Sequence, residues 1–169
     1  DDGLAGDAVA ADRIFTAQIP ATALNVGEMV RWYVVASDTE GIQTRAPRFL
    51  DSLDSPEYFG TVVDDPSITT DLPLMQWFLA NESAASTNAA TRASLFMGGE
   101  LYDNIQVDNH GQSTRGSAFP KKSFDFDANA GNKFKIHSDV SRVSDFNLLT
   151  NYADQTKLRN TLTYDLFAQ

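Results

Sequence analysis

The chain reads as an α+β protein: a partial β-sandwich of few strands, then an antiparallel sheet closed by a C-terminal helix. Three observations predict this. Short runs rich in Val, Trp, Tyr and Phe recur between clusters of Gly, Pro, Asn and Asp, which is strand-and-turn chemistry. Residues 123–127 (SFDFD) and 133–137 (KFKIH) alternate polar and apolar strictly. Near the end, Leu158, Leu162 and Leu166, and also Tyr164 and Phe167, are expected near one face at helical spacing.

Taken in order, residues 13–19 (RIFTAQI) alternate and stop at Pro20, which predicts a strand. Residues 29–36 (MVRWYVVA) form a second between Gly27 and the turn residues 37–41. Residues 42–45 start a third, ended by Pro47. Three short strands bury too little surface to stand alone, so residues 1–49 read as the later strands of a sandwich. Residues 50–71 carry six acids, two prolines and one glycine, the composition of a linker. The apolar patch 58–63 inside it is expected to dock on a neighbour.

Residues 72–169 form the second unit. After Pro73, residues 74–79 (LMQWFL) fit a buried strand or a short helix, and their aromatics favour the strand. Residues 81–91 are small and polar, a loop or helical turn. Residues 92–97 and 101–107 predict a hairpin about Gly98-Gly99-Glu100. Residues 123–127 and 133–137 predict another about the turn residues 128–132. Residues 143–149 lead into the final helix, for which Asp154 is the expected N-cap, with Lys157 and Arg159 in the first turns.

Composition narrows the function. With 42% hydrophobic residues in 169, a packed core is within reach. Zero cysteines exclude disulfides and thiolate chemistry, and two histidines exclude a histidine-rich metal site. No apolar run approaches the roughly 20 residues a membrane span needs. Net charge is -10, unevenly spread. Residues 1–71 hold 13 acids and 4 bases, a net of -9, against 10 acids and 9 bases in residues 72–169, a net of -1. Nucleic acid is therefore not an expected partner, although the second unit can still take an anion.

The stretch 110–124 (HGQSTRGSAFPKKSF) gathers two glycines, hydroxyl residues and three cations. Such a loop offers backbone N–H groups and hydroxyls to phosphate oxygens, while Arg and Lys neutralise them. It lacks the Walker spacing GxxxxGK[ST] and the GxGxxG of dinucleotide folds. A solvated loop before a strand is the plainer alternative. The candidate phosphate contacts are Ser113, Thr114, Arg115, Lys121 and Lys122. Adjacent strand residues face opposite ways, so one lysine points inward; Lys122, in phase with Phe124 and Phe126, is the better placed.

These elements resemble the CotH-type spore-coat kinase family. The likeness rests on Gly111-Gln112-Ser113-Thr114, Pro120-Lys121-Lys122-Ser123-Phe124, Asn147-Leu148-Leu149 and residues 154–160, and covers roughly residues 58–169. It implies the N-terminal part of a divergent kinase-like fold in a secreted or surface protein. The complete protein would transfer the ATP γ-phosphate to Ser or Thr of a protein substrate, with Mg or Mn. The acids that hold metal in such kinases lie further along the family's sequence. By that resemblance these 169 residues are a fragment with half a nucleotide site, not catalytic alone. The family's arginine-bearing R-x-R-G form is replaced by Asp108-Asn109-His110 before Gly111. The alternative is a non-catalytic surface or adhesion module built on a degenerate kinase-like scaffold.

The start of the chain, Asp2-Gly3-Leu4-Ala5-Gly6-Asp7 and then residues 12–17, resembles immunoglobulin-like modules of secreted bacterial proteins, related to fibronectin type III sandwiches. Arg13 stands where glycine is usual in them. Four aspartates within 12 residues, among them Asp2, Asp7 and Asp12, are candidate Ca²⁺ ligands, or else a solvated acidic turn.

Overall fold

A computed structural model describes residues 1–4, 6–112, 115 and 119–167. Its strands make antiparallel sheets of two, two and five. Residues 13–19 are not the expected strand: they have no regular structure, and Ile14 and Phe15 are exposed. Alternation becomes a strand only where a partner completes the ladder, and among the described residues none does. The 29–36 run forms two strands rather than one, β1 (Met29–Trp32) and β2 (Val34–Ser37), parted at Tyr33. β2 pairs with β3 (Gln43–Ala46). β1 pairs with β4 (Phe59–Val62), which lies inside the acidic 50–71 segment. The break at Tyr33 lets one apolar run serve two partners. The 58–63 patch thus docks, with Val62 buried.

The large sheet is a meander in chain order: β5 (Met75–Leu79), β6 (Thr91–Met97), β7 (Glu100–His110), β8 (Ser123–Asp127) and β9 (Asp145–Leu148). A short α1 (Glu82–Ala85) links β5 to β6, with Asn81 Oδ1 accepting the Ala84 N–H at its start. Gly98 and Gly99 turn the β6–β7 hairpin at φ +60° and +81°, which side chains rarely adopt. Within this hairpin Leu95 opposes Tyr102 and Ala93 opposes Ile105, so Asp103 and Asn104 face the single residue Ser94. This is a β-bulge, with Asn104 at φ +54°. The extra residue shifts the side-chain phase, so Tyr102 on one side of it and Ile105 and Val107 on the other all reach the core.

That core holds Leu95, Tyr102, Ile105, Val107, Phe126 and Phe134, with Trp77, Phe124 and Phe146 packed against it. Phe126 stacks on Phe146 at 4.8 Å, and Phe134 meets Tyr102 edge-on at 5.1 Å. The hairpin expected between 123–127 and 133–137 does not form. β8 takes β9 as its partner, and residues 133–137 keep only the bridge between Phe134 and Val143. Phe134 is fully buried in the cluster instead. Arg142 holds this crossing segment down by donating to both Glu100 carboxylate oxygens at 2.8 Å and to the Lys133 carbonyl.

The final helix, α2 (Arg159–Phe167), starts later than Asp154 predicts. Asp154 organises the preceding turn, accepting from the backbone N–H of Thr156 and Arg159. Leu158, Leu162 and Leu166 share one stripe, while Tyr164 and Phe167 fall towards the opposite side, and all five are exposed.

Candidate functional site

β7 ends at His110 and β8 begins at Ser123, and these residues are register partners. The 111–122 connection therefore leaves and re-enters the sheet at adjacent points. Gly111, at φ +98°, turns the chain out of β7. Of the five candidate phosphate contacts, Ser113 and Thr114 lie outside the described residues. Arg115 Nε donates to the Asn109 carbonyl at 2.9 Å, and Lys122 Nζ donates to the Arg115 carbonyl at 3.0 Å. These two cations therefore shape the loop they belong to. Lys122 is half-buried and Lys121 exposed.

Beneath the loop, Asn109 is fully buried on the core side of β7. Its Nδ2 donates to the Ser86 carbonyl at 3.1 Å, and its Oδ1 has no hydrogen-bond partner. At the far end, Phe119 meets Tyr152 edge-on at 6.2 Å, and Ser123 Oγ accepts the Thr150 N–H. The strand ends that flank the loop are thus fastened to the end of α1 and to the 150–158 turn, which Phe119 also meets.

The opposite face of β7–β8–β9 is acidic. Asp108 stands directly across from Asp125, and Asp127 across from Asp145. Burial, and then the carboxylates of Asp108, Asp145 and Asp125, push Asp127 above the usual carboxylate range. His110 Nδ1 lies 2.6 Å from Asp125 Oδ1. An ionised carboxylate only accepts, so Nδ1 carries the hydrogen and Nε2 points away from Asp125. Nothing in the sequence alone pairs these residues. The alternation of 123–127 and the phase of Asp108 and His110 held part of the signal, but the register between strands did not show.

The N-terminal aspartates fold their own turns. Asp7 is buried; its Oδ2 accepts from the N–H groups of Asp2 and Gly3 and its Oδ1 from that of Val9. These bonds, the one from Gly3 first, hold its carboxyl below the usual range. Asp2 accepts the Leu4 N–H and Asp12 the Ile14 N–H. Among the described residues no group of three or more His, Asp or Glu side chains is arranged to hold a metal ion.

Where the N-terminal ribbons meet the sheet there are two clefts, of about 370 and 670 Å³. The smaller is lined by Arg31, Glu57, Arg92 and Asp103, the larger by Trp32, Tyr58, Phe59 and Glu100. Neither takes a described residue of the 111–122 loop into its lining. No described helix is long and apolar enough to cross a membrane.

A family model described as CotH kinase protein matches residues 107–169. The match begins three residues before β7 ends and runs through the loop, β8, β9 and α2. No curated protein and no solved structure matches the chain.

Proposed function

We propose that residues 107–169 supply one wall of a phosphate site for a nucleoside triphosphate, in a protein that passes the γ-phosphate to Ser or Thr of a protein substrate. The observation that carries the reading is the coincidence of the family match with the strand–loop–strand unit that sets Lys122 at a half-buried loop base. A lysine there acts as a point charge for phosphate oxygens, while hydroxyls and N–H groups of a Gly/Ser-rich loop supply direction. Lys122 would then exchange its bond to the Arg115 carbonyl for one to phosphate. The divalent metal that such transfer uses, Mg or Mn, has no ligand trio among the described residues. Among the described residues, the charge of Arg115, Lys121 and Lys122 suits phosphates and supplies no ligand for the metal.

Calorimetric titration of the chain with ATP tests this. Binding is expected, and Lys122→Met should weaken it by about tenfold, the loss of one charge-assisted hydrogen bond. Lys121→Met should weaken it less. Absence of ATP binding, or equal loss from both variants, would overturn the reading.

A non-catalytic surface scaffold is the competing reading. It draws support from Arg115 and Lys122 being bonded to backbone carbonyls, of Asn109 at the end of β7 and of Arg115 in the loop. It predicts that ATP leaves the wild-type melting temperature unchanged.

A further inference from the structure

The larger of the two clefts takes no described residue of the 111–122 loop into its lining, and its own chemistry is distinct. Its volume, about 670 Å³, lies within the roughly 300–1,000 Å³ of small-molecule sites. Trp32 of β1, Phe59 of β4 and Tyr58 just before β4 line it together with Glu100 at the start of β7 and Asn132 beyond β8. Trp32 and Phe59 are register partners, so both side chains leave the ribbon on one face. They are 39% and 43% exposed, and neither ring has an aromatic or cationic partner among the described residues. Tyr58 differs: the Arg31 guanidinium lies 4.6 Å from its ring centre and the Tyr33 ring 6.0 Å away, which makes it a fixed wall.

Glu100 is the one charged side chain among the described lining residues, and Arg142 neutralises it. The lining therefore selects no net charge in a ligand, but it offers hydrogen bonds of both senses. Glu100 Oε2 already accepts from Arg142 and from the Tyr102 hydroxyl, whereas Oε1 accepts from Arg142 alone and keeps a lone pair. The half-buried Asn132 side chain has no hydrogen-bond partner among the described residues, so its amide can both donate and accept.

We propose that this cleft binds a neutral sugar, a short oligosaccharide of pyranose units. The C–H bonds on a pyranose face meet the negative face of an aromatic ring, and its rim of hydroxyls both donates and accepts. Trp32 and Phe59 supply the aromatic faces, Glu100 Oε1 accepts from one hydroxyl, and Asn132 takes either role with another. A run of prolines, the other ligand that aromatic grooves take, offers carbonyl acceptors and no donor for Glu100. The inference goes beyond the phosphate reading and shares no residue with it.

The test is calorimetric titration of the chain with cellotetraose and with maltotetraose, each up to millimolar concentration, and separately with decaproline. Circular dichroism checks that each variant is folded. One of the two sugars is expected to bind, and decaproline is not. W32A should weaken the sugar by about tenfold, the loss of its main aromatic platform. N132A lies outside the β1–β4 ribbon and should weaken it by about fivefold, the loss of one neutral hydrogen bond. If W32A disturbs the ribbon, N132A and F59A carry the test. A folded wild type that binds neither sugar overturns the proposal, and so does sugar binding that the variants leave unchanged. Decaproline binding that W32A abolishes, with no sugar bound, would make the cleft a peptide groove and overturn it as well.

Discussion

Asp103 is a residue whose charge is fully committed inside the protein. It is 2% exposed; Oδ1 accepts the Ser94 hydroxyl at 2.6 Å, and Oδ2 accepts the Glu57 and Tyr58 N–H groups at 2.9 Å. Truncation would strand three donors at a buried position, each worth about 1–3 kcal/mol. Asp103→Ala is therefore expected to lower the unfolding free energy by about 3 kcal/mol or more, read as a urea midpoint shift at constant slope. Asp103→Asn, which keeps one acceptor, should cost less. Asp127 behaves oppositely. Its carboxyl is pushed up by burial and by Asp108, Asp145 and Asp125. An acid with a raised folded-state pKa binds its proton more tightly when folded, so its ionised form opposes folding at neutral pH. That opposition is relieved as pH falls through the raised value. Asp127 is exposed overall, so solvent screens this repulsion, and Asp127→Asn should stabilise the protein at pH 7 by only about 0.2 kcal/mol. The gain should vanish below about pH 4, where the aspartate is protonated in both states. A gain that persists at pH 3 would show that charge is not its cause.

Elements were legible where a local signal and its partner lay close in the chain. The β6–β7 hairpin was readable because Gly98-Gly99 marks a turn between two adjacent β-rich runs. The phase of β8 was readable from SFDFD, which puts Phe124 and Phe126 on the core side. Residues 133–137 misled because the same alternation suits an edge strand and a crossing segment that inserts one aromatic. Phe134 follows the second course, filling the space over Tyr102 while Arg142 clamps the segment to Glu100. Strand 13–19 misled because alternation says nothing of whether a partner exists. The bulge at Asp103–Asn104 left no mark of its own: Asp-Asn inside an apolar run reads as polar outward residues until the register is known. Two measurements follow at this scale. Phe134→Ala should cost about 3–5 kcal/mol, the range for emptying an aromatic site in a packed core. A cost under about 1 kcal/mol would mean the segment only rests on the sheet. The clamp predicts a pH dependence of the usual carboxylate sense. Arg142 holds Glu100 below the ordinary glutamate range. The stability it contributes is therefore present above about pH 4.3 and lost as pH falls through the lowered value. In Glu100→Gln that part of the acid loss should be absent from pH-dependent melting.

For the whole molecule, composition separated an acidic first segment from a balanced second, but not how the two are joined. The 50–71 stretch has the composition of a linker, yet residues 51–58 are strapped to the bulge. Arg92 donates to the Leu53 carbonyl at 2.7 Å and to Asn104 Oδ1 at 2.8 Å, and Asn104 Nδ2 donates to the Ser52 and Ser55 carbonyls. Asp54 Oδ1 accepts the Ala130 N–H. Little of this shows in the sequence, because the bonds that tie down the strap and Ala130 span 39 to 76 residues and end on a backbone carbonyl or N–H, which leaves no side-chain signature. The candidate site divided along the same line: the cations and glycines of the loop were visible, whereas the His110–Asp125 contact needed the register of β7 and β8. The strap also gives the molecule a graded stability. The strap meets the large sheet through Asp103 and Arg92, and β4 meets it at Gly60, where an added Cβ would lie 2.6 Å from Leu101 Cδ2. The β6–β7–β8 core needs none of these contacts to stay packed. Arg92→Met keeps the aliphatic stem and removes every donor, so it should loosen the strap and leave the core intact. Hydrogen exchange should then accelerate by about tenfold or more in residues 51–63 and in β1, and stay within about twofold in β7 and β8. A uniform acceleration would mean that strap and sheet unfold as one unit. No change anywhere would mean that Asp103 alone carries the junction.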